Sequence, residues 1–300
     1  MKRRDLLRAG LVTGGAFLYG PQRASAAETV LNPLTPPATG TIPVAFLISD
    51  GAVVIDFAGP WEVFQDVLID DRMPFHPYTV SATAKPIHAS GGMQIVPDFT
   101  FANAPHPKVI VIPAQTDDSP AVLDWIRKAS QTADVTLSVC TGAFLLAKTG
   151  LLDGKTATTH HNSYKLFERQ FPKITLKRGA RFVETGNLAS AGGLTSGMDL
   201  AMRVVERYFG GEVAKQNAYY MEYQGDGWKD SSGQANAAYL NLKTRPGYEE
   251  DPVCGMEVKP GALKADYKGT TYYFCMESCR QRFLKSPGGF LTSTPQQKSM

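Results

Sequence analysis

The residues of this chain best able to do chemistry are its four cysteines, and their spacing divides them between two tasks. Cys140 stands alone in VTLSVCTGAFLLAK, whereas Cys254, Cys275 and Cys279 lie close together near the C-terminal end. A thiolate is both a nucleophile and a soft metal ligand. Cys140 sits where an apolar strand passes into a helix, at the edge where open α/β proteins place their sites. The start of the helix would offer unpaired N–H groups and the positive end of a dipole, both of which favour a thiolate. Gly142 permits the close turn that this junction needs. The alternative is a buried structural cysteine.

Two kinds of partner are available to such a thiol. His160 follows twenty residues later in GKTATTHHNSY and could exchange protons with it. His161 competes for that part, and a packing histidine is the plainer reading. Asp56 stands before Phe57-Ala58-Gly59-Pro60. A carboxyl pressed against a thiol would have a raised pKa and could hold or deliver a proton. Asp50 competes with it, and a capping or turn role is the alternative for both.

The elements that must hold these groups alternate between strand and helix. IPVAFLI at 42–48 and KVIVI at 108–112 are nearly continuous apolar runs, as expected of strands covered on both faces. Residues 134–139 form a third strand, ending at Cys140. Short strands are expected at 77–83 and 93–96, with a turn at Gly91-Gly92. Helices are expected over 121–129, 142–148, 198–208 with Ser196 as cap, and 212–223. A further helix carries Trp61, Phe64 and Leu68 at helical spacing, with Pro60 in its first turn. This order predicts an α/β domain over 41–225, with a mostly parallel sheet wrapped by helices.

The formal charge of +3 misleads, because the first 26 residues hold five of the 31 basic groups and one of the 28 acidic ones, leaving the rest at −1. The remainder has no positive bias to attract nucleic acid, and no Gly-rich phosphate loop indicates a nucleotide cofactor. Residues 1–26 join a basic start, an apolar run and Ala24-Ser25-Ala26, the layout of a cleaved signal peptide. Arg3-Arg4 followed by Asp5-Leu6-Leu7 resembles a twin-arginine signal, which implies export of the folded protein to the periplasm by the twin-arginine machinery. Residues 27–40 read as a spacer and 226–250 as a linker.

Residues 251–290 are too few to bury much core without a staple. Ala265 to Phe274 suggest a hairpin around Lys268-Gly269, and the three cysteines flank it. They are expected to bind a soft or transition metal such as copper or zinc. A four-ligand set is incomplete, so Asp251, Met256, water or another subunit would finish it. A disulfide from Cys254 is the alternative. Residues 291–300 read as a tail.

VIDFAGPWEVF, SVCTGAFLLAKTGLLDGKTATTHH and AGGLTSGMDLAMRVVE together resemble the DJ-1/PfpI superfamily, most of all its isonitrile-hydratase-like branch, which is related to sensor-like domains of AraC-type regulators. The resemblance implies a flavodoxin-like three-layer sandwich, usually a homodimer, with the nucleophile at Cys140, its hydroxyl neighbour at Thr141, the acid of the hydratase branch at Asp56 and a histidine at His160. Many members carry Gly-Gly where this chain has Ala114-Gln115, a departure at the anion pocket. DPVCGM and YYFCMESC resemble a YHS domain, which implies metal binding at Cys254, Cys275 and Cys279. The function implied is a cysteine-dependent enzyme acting on a small electrophile, with hydration of isonitriles to N-substituted formamides as the leading form. The alternative is a periplasmic protein that handles metal or senses redox state or a ligand without turnover.

Overall fold

A computed structural model describes residues 32–229, 239, 244–261 and 263–291. The expected signal segment 1–26 and the expected tail from 292 onward lie outside the described residues. The main domain holds strands β1 (Ile42–Leu47), β2 (Phe75–Ser81), β3 (Phe99–Thr100), β4 (Val109–Ile112), β5 (Val135–Val139), β6 (Phe182–Thr185) and β7 (Leu188–Ala191). They form one seven-stranded sheet in the order β6-β7-β5-β4-β1-β2-β3. Every pairing is parallel except that of β6 with β7.

Both faces of the sheet are covered, which explains the unbroken apolar runs. Along β1, Ile42, Val44 and Phe46 point into one core, which also holds the faces of helices α1 (Val54–Gln65), α5 (Ser196–Phe209) and α6 (Gly211–Tyr220). Ala45 and Leu47 point into the other, beneath α2 (Pro120–Ser130), α3 (Gly142–Lys148) and α4 (Tyr164–Gln170). The expected three-layer, flavodoxin-like sandwich is thus present.

Local boundaries differ from the sequence reading in ways that matter. α1 begins at Val54, so Pro60 lies inside the helix rather than in its first turn. Proline has no N–H to give the carbonyl four residues back, which is that of Asp56. α5 starts at Ser196, two residues before Met198, so Thr195 rather than Ser196 holds the cap position, and its side chain makes no cap bond. Part of the expected spacer is tied down, since Leu34 N–H donates to Arg207 O at 2.7 Å. Trp228, expected in the linker, is buried in the main core.

The C-terminal module begins with Glu249–Glu250 pairing Glu257–Val258. The hairpin β8 (Leu263–Tyr267) and β9 (Thr270–Phe274) turns at Lys268 and Gly269, both at positive φ. Helices α7 (Glu277–Lys285) and α8 (Pro287–Phe290) close a small core around the fully buried Phe283. No helix among the described residues is long and apolar enough to cross a membrane.

Candidate functional site

Cys140 follows β5 and adopts φ +57°, a left-handed conformation that costs a non-glycine residue about 1–2 kcal/mol. The strain is held by bonds on both sides. Its N–H donates to Gly192 O at 2.8 Å and Ala191 O at 3.2 Å, and its carbonyl accepts from Thr159 Oγ1 at 2.9 Å. Gly142 next door is required by contact rather than by φ. A Cβ there would lie 2.2 Å from Ile112 O and 2.8 Å from Pro113 O.

This elbow turns the thiol into a buried pocket beside Asp56, which α1 supplies. Asp56 is fully buried, and its Oδ2 accepts the Ala114 N–H at 3.2 Å. Its Oδ1 has no hydrogen-bond partner among the described residues, and the Cys140 thiol lies close enough to act on its titration. Burial drives its pKa up to about 7, against the lowering effects of the Ala114 N–H and the thiol. Burial and the Asp56 charge push the Cys140 thiol well above its ordinary range, while the N–H groups of Thr141 and Leu194 and the Thr141 hydroxyl pull it back.

Two acids so close titrate as a pair. Above the Asp56 pKa the pair carries one negative charge and one proton. Moving that proton from sulfur to carboxyl makes a thiolate beside a carboxylic acid. The three donors from Thr141 and Leu194 favour this tautomer, because they bond the charged sulfur.

The pair also makes stability depend on pH. The folded-state pKa of Asp56 lies above its unfolded value of 3.8, so the buried neutral form favours folding most below about pH 4. That contribution drains away as pH rises towards 7. Thermal melts between pH 4 and 8 should show a decline of a few kcal/mol, which Asp56→Asn should flatten.

His160 does not join the thiol in a hydrogen bond. Its Nδ1 accepts the Asn162 N–H at 3.3 Å, its ring lies 4.2 Å from that of His161, and it packs on the backbone of Gly193. Burial, aided by His161, lowers its pKa to about 4, so it is neutral at pH 7. It lines a second cavity, shared with Gly192, Gly193, Leu194 and Arg181. Asp50 is exposed and bonds His88 N–H at 2.7 Å, far from this role.

The resemblance placed Ala114 at the anion pocket, where its N–H bonds Asp56 instead, and sequence reasoning missed the N–H of Leu194. Any residue but proline supplies an N–H, so the type of residue at 194 carried no signal. The loop carrying Leu194 is anchored by its neighbours. Arg181 Nε bonds the buried Asp199 at 2.7 Å, and Arg203 and Arg207 of α5 both grip Glu184 of β6 at 3.0 Å.

The module gathers a second constellation. Cys254 and Cys275 sulfurs are 3.4 Å apart, and Cys275 and Cys279 sulfurs 3.7 Å. With the buried Asp251, these residues place four donor atoms within 4.8 Å of one another. All four cysteines of the chain are free thiols, so the Cys254 disulfide is not formed. A tetrahedral ion with bonds of about 2.3 Å sets sulfurs roughly 3.8 Å apart, so the set fits a metal. Asp251 also holds the ligands in place, accepting Val253 N–H at 2.8 Å and Cys275 N–H at 2.9 Å. Hydrogen bonds from the Cys254 and Cys279 thiols hold the pKa of Cys275 below its ordinary range, and that of Cys254 is raised in return.

A model of the DJ-1/PfpI family matches residues 43–207, and one of the YHS domain matches 250–294. An isonitrile hydratase from Pseudomonas putida is 32% identical over 185 residues, which cover 60% of this chain and 78% of that protein. The HTH-type transcriptional regulator CdhR of Pseudomonas aeruginosa is 27% identical over 46% of this chain, which spans 42% of the regulator's length. A copper-transporting P-type ATPase from Rhizobium leguminosarum bv. viciae is 44% identical over 45 residues, 14% of this chain and 5% of the transporter. Among solved structures, a THiJ/PfpI family protein from Pseudomonas syringae aligns with TM-score 0.56 and 25% identity, covering 68% of this chain and 84% of that one.

Proposed function

The chain belongs to the DJ-1/PfpI family, and from that premise we propose that its main domain is a cysteine-dependent enzyme that hydrates small isonitriles to N-substituted formamides. The observation that carries the reading is the buried Asp56–Cys140 pair, which holds one transferable proton beside a strained thiol. The likeness to an isonitrile hydratase supports it over a longer share of that relative than of the regulator.

In the proposed reaction the Cys140 thiolate forms a bond to the isonitrile carbon while protonated Asp56 gives its proton to the same carbon. The product is a thioimidate, R–N=CH–S–Cys140. Water then adds to that carbon, losing one proton to the Asp56 carboxylate as the nitrogen gains one from solvent. Collapse of the tetrahedral adduct breaks the C–S bond and releases R–NH–CHO, and the hydroxyl proton leaves to solvent. The net change is addition of one water. His160, neutral at pH 7, packs on Gly193 and takes no proton-transfer step in this scheme.

The test is formamide formation from a simple alkyl isonitrile, with the mass of the Cys140 peptide followed during turnover. No formamide above the protein-free rate would overturn the reading. One observation favours a second reading: the Ala114 N–H is committed to Asp56 rather than open to a substrate. A sensor would take up an electrophile on Cys140 and not release it, so labelling without turnover would select that alternative.

The C-terminal module is proposed to hold a soft or transition metal, copper or zinc, on Cys254, Cys275 and Cys279 with Asp251 completing the set. Bound there, the metal would supply a structural staple and a soft Lewis acid. Reduced protein loaded with Cu(I) or Zn(II) and desalted should retain one equivalent, and Cys275→Ser should lower affinity at least about tenfold. Retention of no metal would overturn this. The proposal extends to export by the twin-arginine route, cleavage after Ala26 and assembly as a homodimer in the periplasm. The mass of the exported chain and its sedimentation would check these points.

A further inference from the structure

The C-terminal module is seated on residues 162–169 of the main domain and on Asp118. On one side the Ser163 hydroxyl donates to the Cys254 carbonyl, and Lys165 pairs with Glu250 at 3.6 Å. Gly255 presses so closely on the main domain that a Cβ there would lie 2.8 Å from Asn162 O. On the other side Arg282 of α7 approaches Asp118 at 3.7 Å, and Arg169 donates to Phe290 O at 3.5 Å. Asp118 is also paired with Lys148 at the end of α3.

Between these contacts lies a cleft of about 250 Å³, lined by Thr141, Phe144 and Lys148 of the main domain and by Cys254, Arg282 and Phe290 of the module. Thr141 is the residue whose N–H and hydroxyl both reach the Cys140 sulfur. Cys140 itself is only 8% exposed and lies behind Thr141, outside the lining of the cleft. The volume falls just below the usual range for drug-sized pockets, about 300–1,000 Å³. Its charged groups are Lys148 and Arg282 against the one carboxylate of Asp118. That leaves one positive charge in excess and disfavours cationic reactants.

We propose that the C-terminal module forms the outer wall of the Cys140 reactant site, so that Phe290 and Arg282 select, by size and charge, which molecules reach the thiol. The proposal rests on the reading of Cys140 as a reactive thiol. It gives the joining of the two modules a steric reason. Cys254 contributes to the metal cluster, to the cleft and, through its carbonyl, to the docking bond with Ser163.

The test uses the full chain and two thiol reagents, iodoacetamide and a bulky fluorescein maleimide, with each cysteine followed by peptide mass. Phe290→Ala widens the cleft. Gly255→Ala wedges the module off Asn162, although its positive φ of +77° also strains the module, so Phe290→Ala is the decisive variant. The bulky reagent should modify Cys140 at least about tenfold faster in the variant, equivalent to about 1.4 kcal/mol of easier access. Iodoacetamide should change less than about twofold. Equal bulky-reagent rates at Cys140 in wild type and Phe290→Ala would overturn the proposal. Failure of iodoacetamide to modify Cys140 in either chain would instead overturn the reactive-thiol reading on which it rests.

Discussion

Cys140→Ala is expected to bring formamide formation down to the uncatalysed rate, and Asp56→Asn to lower it by about a hundredfold to ten-thousandfold. The two losses differ in origin. Alanine removes the atom that bonds to the isonitrile carbon. Asparagine keeps the shape of Asp56, and its amide oxygen can still accept the Ala114 N–H. What it lacks is the proton that must reach carbon as the C–S bond forms. The thiol should therefore still be alkylated by iodoacetamide in Asp56→Asn. The same variant should be more stable than the parent at pH 8, because it no longer carries a buried ionised carboxyl, and the gain should shrink by pH 5. Loss of activity together with gain of stability is the signature of a site residue held at a folding cost. Undiminished turnover in Asp56→Asn would remove Asp56 from the mechanism.

Gly142→Ala should be the most damaging single-methyl change in the main domain. Its Cβ would lie 2.2 Å from Ile112 O, inside contact distance of backbone that cannot rotate away. The start of α3 would have to withdraw from the end of β4, and the Cys140 elbow with it. The expected cost is about 3 kcal/mol or more, read as a lower urea midpoint with an unchanged slope. Gly211→Ala is the control, since among the described residues the one atom within 4 Å of its Cβ is Glu206 Oε1 at 3.7 Å. That change should be neutral or stabilising by less than about 1 kcal/mol. Equal effects of the two substitutions would show that the close approach at Gly142 does not matter.

Much of the frame was legible because it rests on local pattern. The runs 42–48 and 108–112 read as strands covered on both faces because every residue in them had to be apolar. The hairpin around Lys268-Gly269 was visible in its turn residues, and the place of Cys140 between strand and helix was visible in VTLSVCTG. Pro60 misled because proline usually marks the first turn, whereas here the helix accommodates it in its interior. Asp50 and Asp56 could not be separated by type or spacing. Burial separates them, and burial depends on α1 packing across the sheet.

Sequence by itself determined which residues could react: one isolated thiol after a strand, three thiols around a hairpin, and acids and histidines within reach by type. Residue types carry intrinsic chemistry and local propensity, so this much needs no partner from elsewhere in the chain. The tertiary structure decided the rest. It set Asp56 beside the thiol through a carboxyl held by Ala114, placed Leu194 N–H against the same sulfur and turned His160 towards Gly193. It also seated the C-terminal module on the main domain, with Cys254 and Thr141 lining one cleft. Each of these contacts joins residues distant in the chain, and the pKa of a buried pair is set by what surrounds it rather than by the residues themselves.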